Sequence, residues 1–406
     1  MDQRQTVARD TAEQLEVVSR GGAMRRALVG FDGFVDHIKH LVASRTSMAP
    51  REYTRIRSIP EFAARCAAAA GRSTNIEQVS LESRFGGNGP LLAGALASLG
   101  MPTTFIGAIG EGAIEPVFEP FARRCQEAIP ICASSHTDCL EFDDGKLMLN
   151  DTGNVQGVTW ERVLARVGRA RLVELVDRSS LLGIVNWSLL GGVESIWNGL
   201  RRDVLAKARG ERRLFIDLSD PAKRTDGDIA GMLGLLRELE ETPGLSVTLG
   251  LNLAEAQRIA RVLGLRVGLD VEAPWSTPLG SAILHVGPGP GTYADASARI
   301  RQAIDLDCVV IHPRHGAAAA TASGQAAWFD GPLTARPKLS TGAGDHFNAG
   351  FALAQIHGLD LEHCLASAVA TSGVYVRDAQ SPSMARLCEF LRTLPPPQAP
   401  PPGESA

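Results

Sequence analysis

Several protein classes are excluded by what this chain lacks. Its 406 residues contain no Cys-x-x-Cys pair, and the seven cysteines (66, 125, 132, 139, 308, 364 and 388) are scattered and odd in number. That usage argues against a disulfide framework and fits reduced, mostly buried thiols. Cys125, Cys132 and Cys139 recur every seven residues, but no histidines accompany them in a ligand pattern, so no metal site is expected there. No uncharged apolar run reaches membrane-spanning length. The opening Met1-Asp2-Gln3-Arg4-Gln5 lacks the charged-then-apolar form of a signal peptide, and a cytoplasmic protein is expected. A net charge of −4 supplies no basic field for nucleic acid or an anionic membrane. Neither a Ser-His-Asp arrangement nor His-Glu-x-x-His nor a cysteine-nucleophile signature is visible. A nicotinamide-dependent oxidoreductase would need Gly-x-Gly-x-x-Gly after the first strand, where Asp32 and Asp36 stand instead. Gly287-Pro288-Gly289-Pro290-Gly291 is not a P-loop, because prolines remove donors and no Lys-Ser or Lys-Thr follows. It reads as a rigid β-α connection.

What is present is an alternating α/β text. The apolar share of 44% and charged share of 21% are those of a soluble globular protein with a substantial core. Residues 1–25 read as a polar helical extension ending at Gly21-Gly22. Ala27–Phe31 is a short apolar strand, and 51–75 is helix-prone. Gly86-Gly87-Asn88-Gly89 precedes an apolar helix, Pro90–Leu99, and then a strand, Thr103–Ile109. Residues 139–149 alternate around Asp144-Gly145, a hairpin signal. Buried-looking strands follow at Leu181–Asn186, Leu214–Leu218, Ser246–Leu251, Ala282–Val286 and Cys308–Ile311, separated by helices. That rhythm predicts a parallel sheet covered on both faces. The hairpin and the residues near 34–46 break the rhythm and predict a small separate sheet over the strand ends. The Pro-rich stretch 395–406 has no core-forming pattern and is expected to be disordered.

The most informative run is Ser340-Thr341-Gly342-Ala343-Gly344-Asp345-His346-Phe347-Asn348-Ala349-Gly350-Phe351. It reads as a glycine turn opening a helix. The amides of Gly342, Ala343 and Gly344 lack helical partners and are placed to meet an anion. Asp345 sits among them. A carboxylate base beside an anion hole suits phosphoryl transfer to an alcohol. Thr-Gly-Ala-Gly-Asp-x-Phe-Asn-x-Gly-Phe, about 250 residues after Gly-Gly-Asn, resembles the C-terminal signature of the ribokinase-like sugar kinases, also called the phosphofructokinase B family.

The resemblance covers roughly residues 26–390. It implies a three-layer α/β/α, Rossmann-like domain over 26–394 with a small β-sheet lid from about 34–60 and 135–150. It also implies a nucleotide, ATP or another, as donor to a sugar or nucleoside-like polyol, with Asp345 as base. Asp36 falls on the family's sugar-gripping aspartate, and Asp32 is a second substrate-binding candidate. Gly87 and Asn88 resemble the N-terminal Gly-Gly signature, although Pro90 stands near where a second asparagine is usual. Asn252 and Glu255, three apart on a first helical turn, are similar to the Asn-x-x-Glu motif. There the glutamate orients water on Mg²⁺ and the asparagine lies near the phosphates; read from residue types alone the same pair is a capping box. Gly316 remains from a Gly-x-x-Gly nucleotide turn whose first glycine is Pro313 here, and Thr341 completes the expected nucleotide contacts. Arg314 is placed either to meet a phosphate or to sit exposed on its loop. Leu339 occupies a position where many relatives hold a monovalent cation with an aspartate, so potassium activation is not implied. His346 stands where a small residue is usual, either perturbing Asp345 or pointing outward. Leu339, His346 and Pro313 motivate an alternative: a catalytically silent relative that binds sugar or nucleotide and regulates a partner. By analogy with the family, a homodimer through the lid is also expected.

Overall fold

The computed structural model describes residues 2–22, 24–269 and 289–397. The strand expected at Ala282–Val286, Gly287-Pro288 of the glycine-proline connection and most of the tail 395–406 lie outside the described residues.

Among the described residues, fourteen strands form two sheets. In chain order they are β1 Ala27–Phe31, β2 Phe34–Arg45, β3 Tyr53–Arg55, β4 Gln78–Gly86, β5 Thr103–Gly107, β6 Glu127–Pro130 and β7 Ser135–Glu141. They continue as β8 Lys146–Asp151, β9 Leu181–Val185, β10 Arg212–Asp217, β11 Leu245–Leu251, β12 Cys308–Ile311, β13 Gly316–Thr321 and β14 Ala326–Asp330. The large sheet has nine strands in the order β14-β13-β12-β11-β10-β9-β1-β5-β6. From β6 to β12 every pairing is parallel, and β13 and β14 close one edge antiparallel.

Burial explains the parallel core. β1 is buried at all five positions, and its side chains alternate between the two faces. Leu28 joins one apolar cluster with Ile184, Leu214 and Ile216. Ala27 and Val29 join the other, with Leu181, Val185 and Phe215. Helices therefore cover both faces, as the uninterrupted apolar strands predict.

The small sheet runs β3-β2-β7-β8, with β4 also pairing antiparallel to β2. The expected hairpin around Gly145 joins β7 to β8, with Leu140 opposite Leu147. β4 has no counterpart among the expected strands. It is largely exposed on both faces, so it carries no apolar alternation to read.

The N-terminal helix Gln3–Arg20 is polar on one face, but Ala8, Ala12 and Leu15 are fully buried. They share the second apolar cluster with Leu387 and Leu391 of the helix Met384–Arg392. Arg4 donates to the carbonyl of Asp330, and Gln5 to that of Leu394. The extension is thus part of the core. Leu15→Ala is expected to lower unfolding free energy by about 2–5 kcal/mol, the range for a cavity-forming substitution. Urea denaturation followed by tryptophan fluorescence measures it, and a loss below about 0.5 kcal/mol, the scale of a surface change, would mean the helix is only loosely docked.

Candidate active site

Five chemistry-bearing side chains sit at the carboxyl ends of the parallel strands. Asp32 follows β1, Asn186 follows β9, Asp217 ends β10, Asn252 follows β11 and His312 follows β12. The chain goes outward from β1 to β5 and β6, then returns to build β9 to β12 on the other side. The crevice between β1 and β9 is therefore the switch point of the sheet, where open α/β folds bind ligands.

Asp32 is fully buried and already engaged. Its two oxygens accept the amides of Asn88 (2.9 Å) and Gly89 (2.7 Å), and Asn186 Nδ2 donates to it at 2.7 Å. These bonds anchor the helix Asn88–Ser98 on β1 and β9. Burial pushes its carboxyl up to about 6, while the Asn186, Gly89 and Asn88 donors pull it back. Gly87 is likewise explained by the protein itself. It caps that helix at φ 97°, and a Cβ there would meet Asp32 Oδ2 at 2.9 Å. A Cβ on Gly86 would meet Asp36 Oδ2 at 2.5 Å. The glycine pair admits two carboxylates rather than a bare sugar edge. The helix starts at Asn88, so Pro90 is in its first turn, where a missing amide proton costs nothing.

Asp36 lies on β2, buried and opposite Arg84 of β4. Burial raises its pKa, against a hydrogen bond from Thr137 and the positive charge of Arg84 and Lys146. Asn88 Nδ2 reaches Asp345 Oδ1 at 3.0 Å. The two expected substrate- and catalysis-bearing motifs thus meet directly. Asp345 is 5% exposed. Its pKa is raised well above the ordinary carboxylate value, first by burial and then by the charge of Asp217, with Asn88 opposing.

The glycine turn before Asp345 is tighter than the sequence suggests. Gly342 has φ 90° and ψ 0°, and the Ala343 amide donates to the Ser340 carbonyl at 3.1 Å. These are the marks of a type II turn with glycine at its third position. The Ala343 amide is therefore engaged within the turn. The amides of Gly342 and Gly344 donate to no other group among the described residues. His346 neither points outward nor carries charge. It is fully buried, and burial lowers its pKa to about 4.

Asn252 and Glu255 form a complete capping box, with Glu255 Oε2 accepting the Asn252 amide at 2.8 Å and Asn252 Oδ1 accepting the Glu255 amide at 3.0 Å. Glu255 is 2% exposed, and its pKa is raised well above normal by burial, then by Asp217, Asp220 and Asp345. Asp217 had no expected role. Asn348 Nδ2 donates to it at 2.8 Å and the Ser219 amide at 2.9 Å. It couples to both Asp345 and Glu255. The signal available in sequence was Asn348, three residues after Asp345 and on the same helical face. Trp187 is core, donating through Nε1 to Glu194, while Asn186 alone of its tripeptide turns to Asp32.

Beside the turn lies a cavity of about 420 Å³, within the range of small-ligand sites. Asn252, Gly316, Ala343 and Gly344 line it with Phe347 and Val376. Pro313, Arg314 and Ser340 face it too. Gly316 opens β13, where a Cβ would strike Trp328. Thr341 turns its carbonyl to Tyr375 Oη at 2.7 Å. Among the described residues, no three His, Cys, Asp or Glu side chains are grouped to hold a metal unaided, and no helix is long and apolar enough to cross a membrane.

A family model described as prokaryotic ketohexokinase matches residues 2–273 and 282–393. A ketohexokinase of Haloferax volcanii is 29% identical over 371 residues, covering 90% of each chain. A carbohydrate kinase from Agrobacterium tumefaciens shares the fold at TM-score 0.58 and 19% identity, over 92% of this chain and 99% of the other. An Arabidopsis thaliana ribokinase solved with ribose and ATP does so at TM-score 0.59 and 16% identity, over 91% and 99%.

The crowded carboxylates have a measurable consequence. Unfolded, Asp345 titrates in the ordinary carboxylate range; folded, it titrates higher. Between those two values the folded protein holds a proton that the unfolded chain has lost, so stability falls as pH rises through that window and stays lower above it. Asp345→Asn is expected to raise the thermal midpoint at neutral pH, with the gain vanishing at the acid end. Calorimetry across pH checks this, and a variant less stable than wild type at neutral pH would contradict it.

Proposed function

The chain belongs to the prokaryotic ketohexokinase family and is a carbohydrate kinase, and from that premise we propose that it transfers the terminal phosphate of ATP to a hydroxyl of a ketohexose, with Asp345 as general base. What supports this most is the Asn88–Asp345 hydrogen bond of 3.0 Å. It puts the acceptor-side helix and the donor-side turn on one carboxylate. In this reading Asp36 and Asn88 hold the acceptor hydroxyls. Asp345 takes the proton of the attacking hydroxyl, and its raised pKa makes it a better proton acceptor once ionised. The amides of Gly342 and Gly344 face charge developing on the transferred phosphoryl group. The cavity beside them takes the nucleotide, with Asn252 and Gly316 in its wall. ATP is the proposed donor because the Arabidopsis relative was solved with it.

Magnesium fits the donor set. Asp217 raises the pKa of both Glu255 and Asp345, and Asp345 raises that of Glu255, a crowding that a divalent cation relieves. With no closed protein cage, such an ion would rely on water and phosphate oxygens, the usual habit of Mg²⁺. Glu255, through water, and Asp217 would hold it, and when bound it would supply charge neutralisation at the phosphates. The small sheet of β2, β3, β4, β7 and β8 is the proposed lid, closing over the acceptor to exclude water. Two departures that motivated a silent binder have ordinary places: His346 is a neutral buried ring and Pro313 forms cavity wall.

Turnover with Mg-ATP against a panel of ketoses, aldoses and nucleosides is expected to be highest with a ketohexose and to fall by ~10² or more in Asp345→Asn, the scale of a lost general base. Wild-type turnover in that variant would remove Asp345 from the chemistry. Self-association belongs to the same proposal. Leu81 on β4 and Met148 and Leu149 on β8 are exposed apolar side chains of the small sheet, so light scattering is expected to give a mass near twice 43.1 kDa. A concentration-independent monomer would refute pairing through this sheet.

A further inference from the structure

Two side chains that the motif does not specify grip the turn that precedes Asp345. Tyr375, from the helix Leu361–Asp378, donates its hydroxyl to the Thr341 carbonyl at 2.7 Å. His346 Nδ1 lies 2.7 Å from the Gly342 carbonyl, which also accepts the His346 amide at 3.1 Å. A carbonyl only accepts, so Nδ1 must carry the proton. The ring is neutral, so Nε2 accepts from Ser381 Oγ at 2.8 Å. The two rings lie face to face, with centroids 3.6 Å apart at 15°. Both are buried, His346 fully and Tyr375 at 5% exposure. Ser381 is itself tied to the end of the helix Asn88–Ser98, whose Ser98 Oγ donates to its carbonyl at 3.1 Å.

The geometry of the peptide group turns these contacts into a constraint. In a planar trans peptide, the carbonyl of one residue and the amide of the next point in opposite directions. Fixing the Thr341 carbonyl therefore fixes the direction of the Gly342 N–H. That peptide is also the central one of the type II turn, and its orientation is what separates type II from type I. In the type I arrangement the Gly342 N–H would swing to the other side. Gly342 tolerates either arrangement because glycine meets few steric limits, so the residue itself does not choose between them. Tyr375 supplies the choice. His346 holds the following peptide, which the Ala343 amide pins from its far end by bonding Ser340.

We propose that Tyr375 and His346 are positioning residues that lock the Thr341–Gly342 peptide so that the Gly342 amide faces the transferred phosphoryl group. The proposal rests on the reading of Gly342 to Asp345 as anion hole and base. It assigns a task to His346, which the signature leaves unspecified, and to Tyr375, which no motif marks.

The test compares Tyr375→Phe, His346→Leu, His346→Asn and Asp345→Asn, measuring kcat, KM, thermal midpoint and affinity for ADP with and without fluoroaluminate plus acceptor. Tyr375→Phe keeps the ring and loses only the donor. It is expected to lower kcat by about ten-fold or more, below the ~10²–10³ cost of deleting an anion-hole donor outright. Acceptor KM and ADP affinity should hold while fluoroaluminate affinity falls. His346→Leu should behave alike, and His346→Asn, whose Nδ2 can still donate to Gly342, should restore most of the rate. Wild-type kcat in Tyr375→Phe, or a loss that follows thermal stability and ADP affinity together, overturns the lock. If Asp345→Asn is inactive while Tyr375→Phe is not, only the lock falls; if Asp345→Asn turns over normally, the site reading falls and the lock with it.

Discussion

One buried carboxylate organises this molecule. Asp32 stands at the end of β1, where the strand order reverses, and collects donors from Asn88, Gly89 and Asn186. Those bonds fasten a helix to the first strand and the first strand's end to its neighbour β9. The helix is apolar and nearly all buried, so packing fixes its axis, but its rotation and height are set by the two amides on Asp32. Asn88 inherits its aim from that arrangement. Reaching Asp345 at 3.0 Å is a consequence of where Asp32 sits. The glycines at 87 and 89 are the spatial cost of the same bond, since a Cβ at either would collide with the carboxylate.

Around this anchor the protein concentrates negative charge in a dry place. Asp32, Asp217, Glu255 and Asp345 are all buried, and the bonds described for them come from no lysine or arginine among the described residues. Neutral amide donors satisfy them instead: Asn186, Asn348, Asn88 and backbone N–H groups. Such donors lower the desolvation cost without cancelling the charge. The folded state therefore keeps a standing demand for cations and for protons. A site of this kind is less stable than an apolar one of equal volume.

The fold was legible wherever a strand is buried on both faces. The strands β1, β5 and β9 to β12 are apolar runs bounded by helices, and the hairpin around Gly145 announces itself by alternation. The edges were not legible. β13 is Gly316 followed by four alanines, a helical composition that becomes a strand only because β12 pairs with it and helices cover it. β6 has four residues, and β4 has no buried face. At the site, residues were visible and relationships were not. Asp345, Asn88, Asp36 and Glu255 each stand in a recognisable run. The bonds that define their work cross 56 to 257 positions, as from Asp32 to Asn88 and from Asn88 to Asp345. The tie between Asp32 and Gly87 was hidden for that reason: a short-range reading sees an acid and a flexible backbone, and misses that a Cβ at Gly87 would meet the carboxylate. Tyr375 sits within an ordinary amphipathic helix, with nothing local to separate it from core.

The two ends of the large sheet bear on how this chain behaves in a crowded solution. An open sheet presents unpaired donors and acceptors to any other strand that drifts past. Here one border, β6, is four residues long and finishes on Pro130, which has no amide hydrogen to offer, and Glu127 at its start is held by Arg171. At the opposite border, the Asp330 carbonyl of β14 is already taken by Arg4 from the N-terminal helix. A foreign strand meets a short ledge at one side and an arginine at the other. The sheet is thereby protected from growing into fibres of its own kind, and the helix that opens the chain serves partly as a stopper.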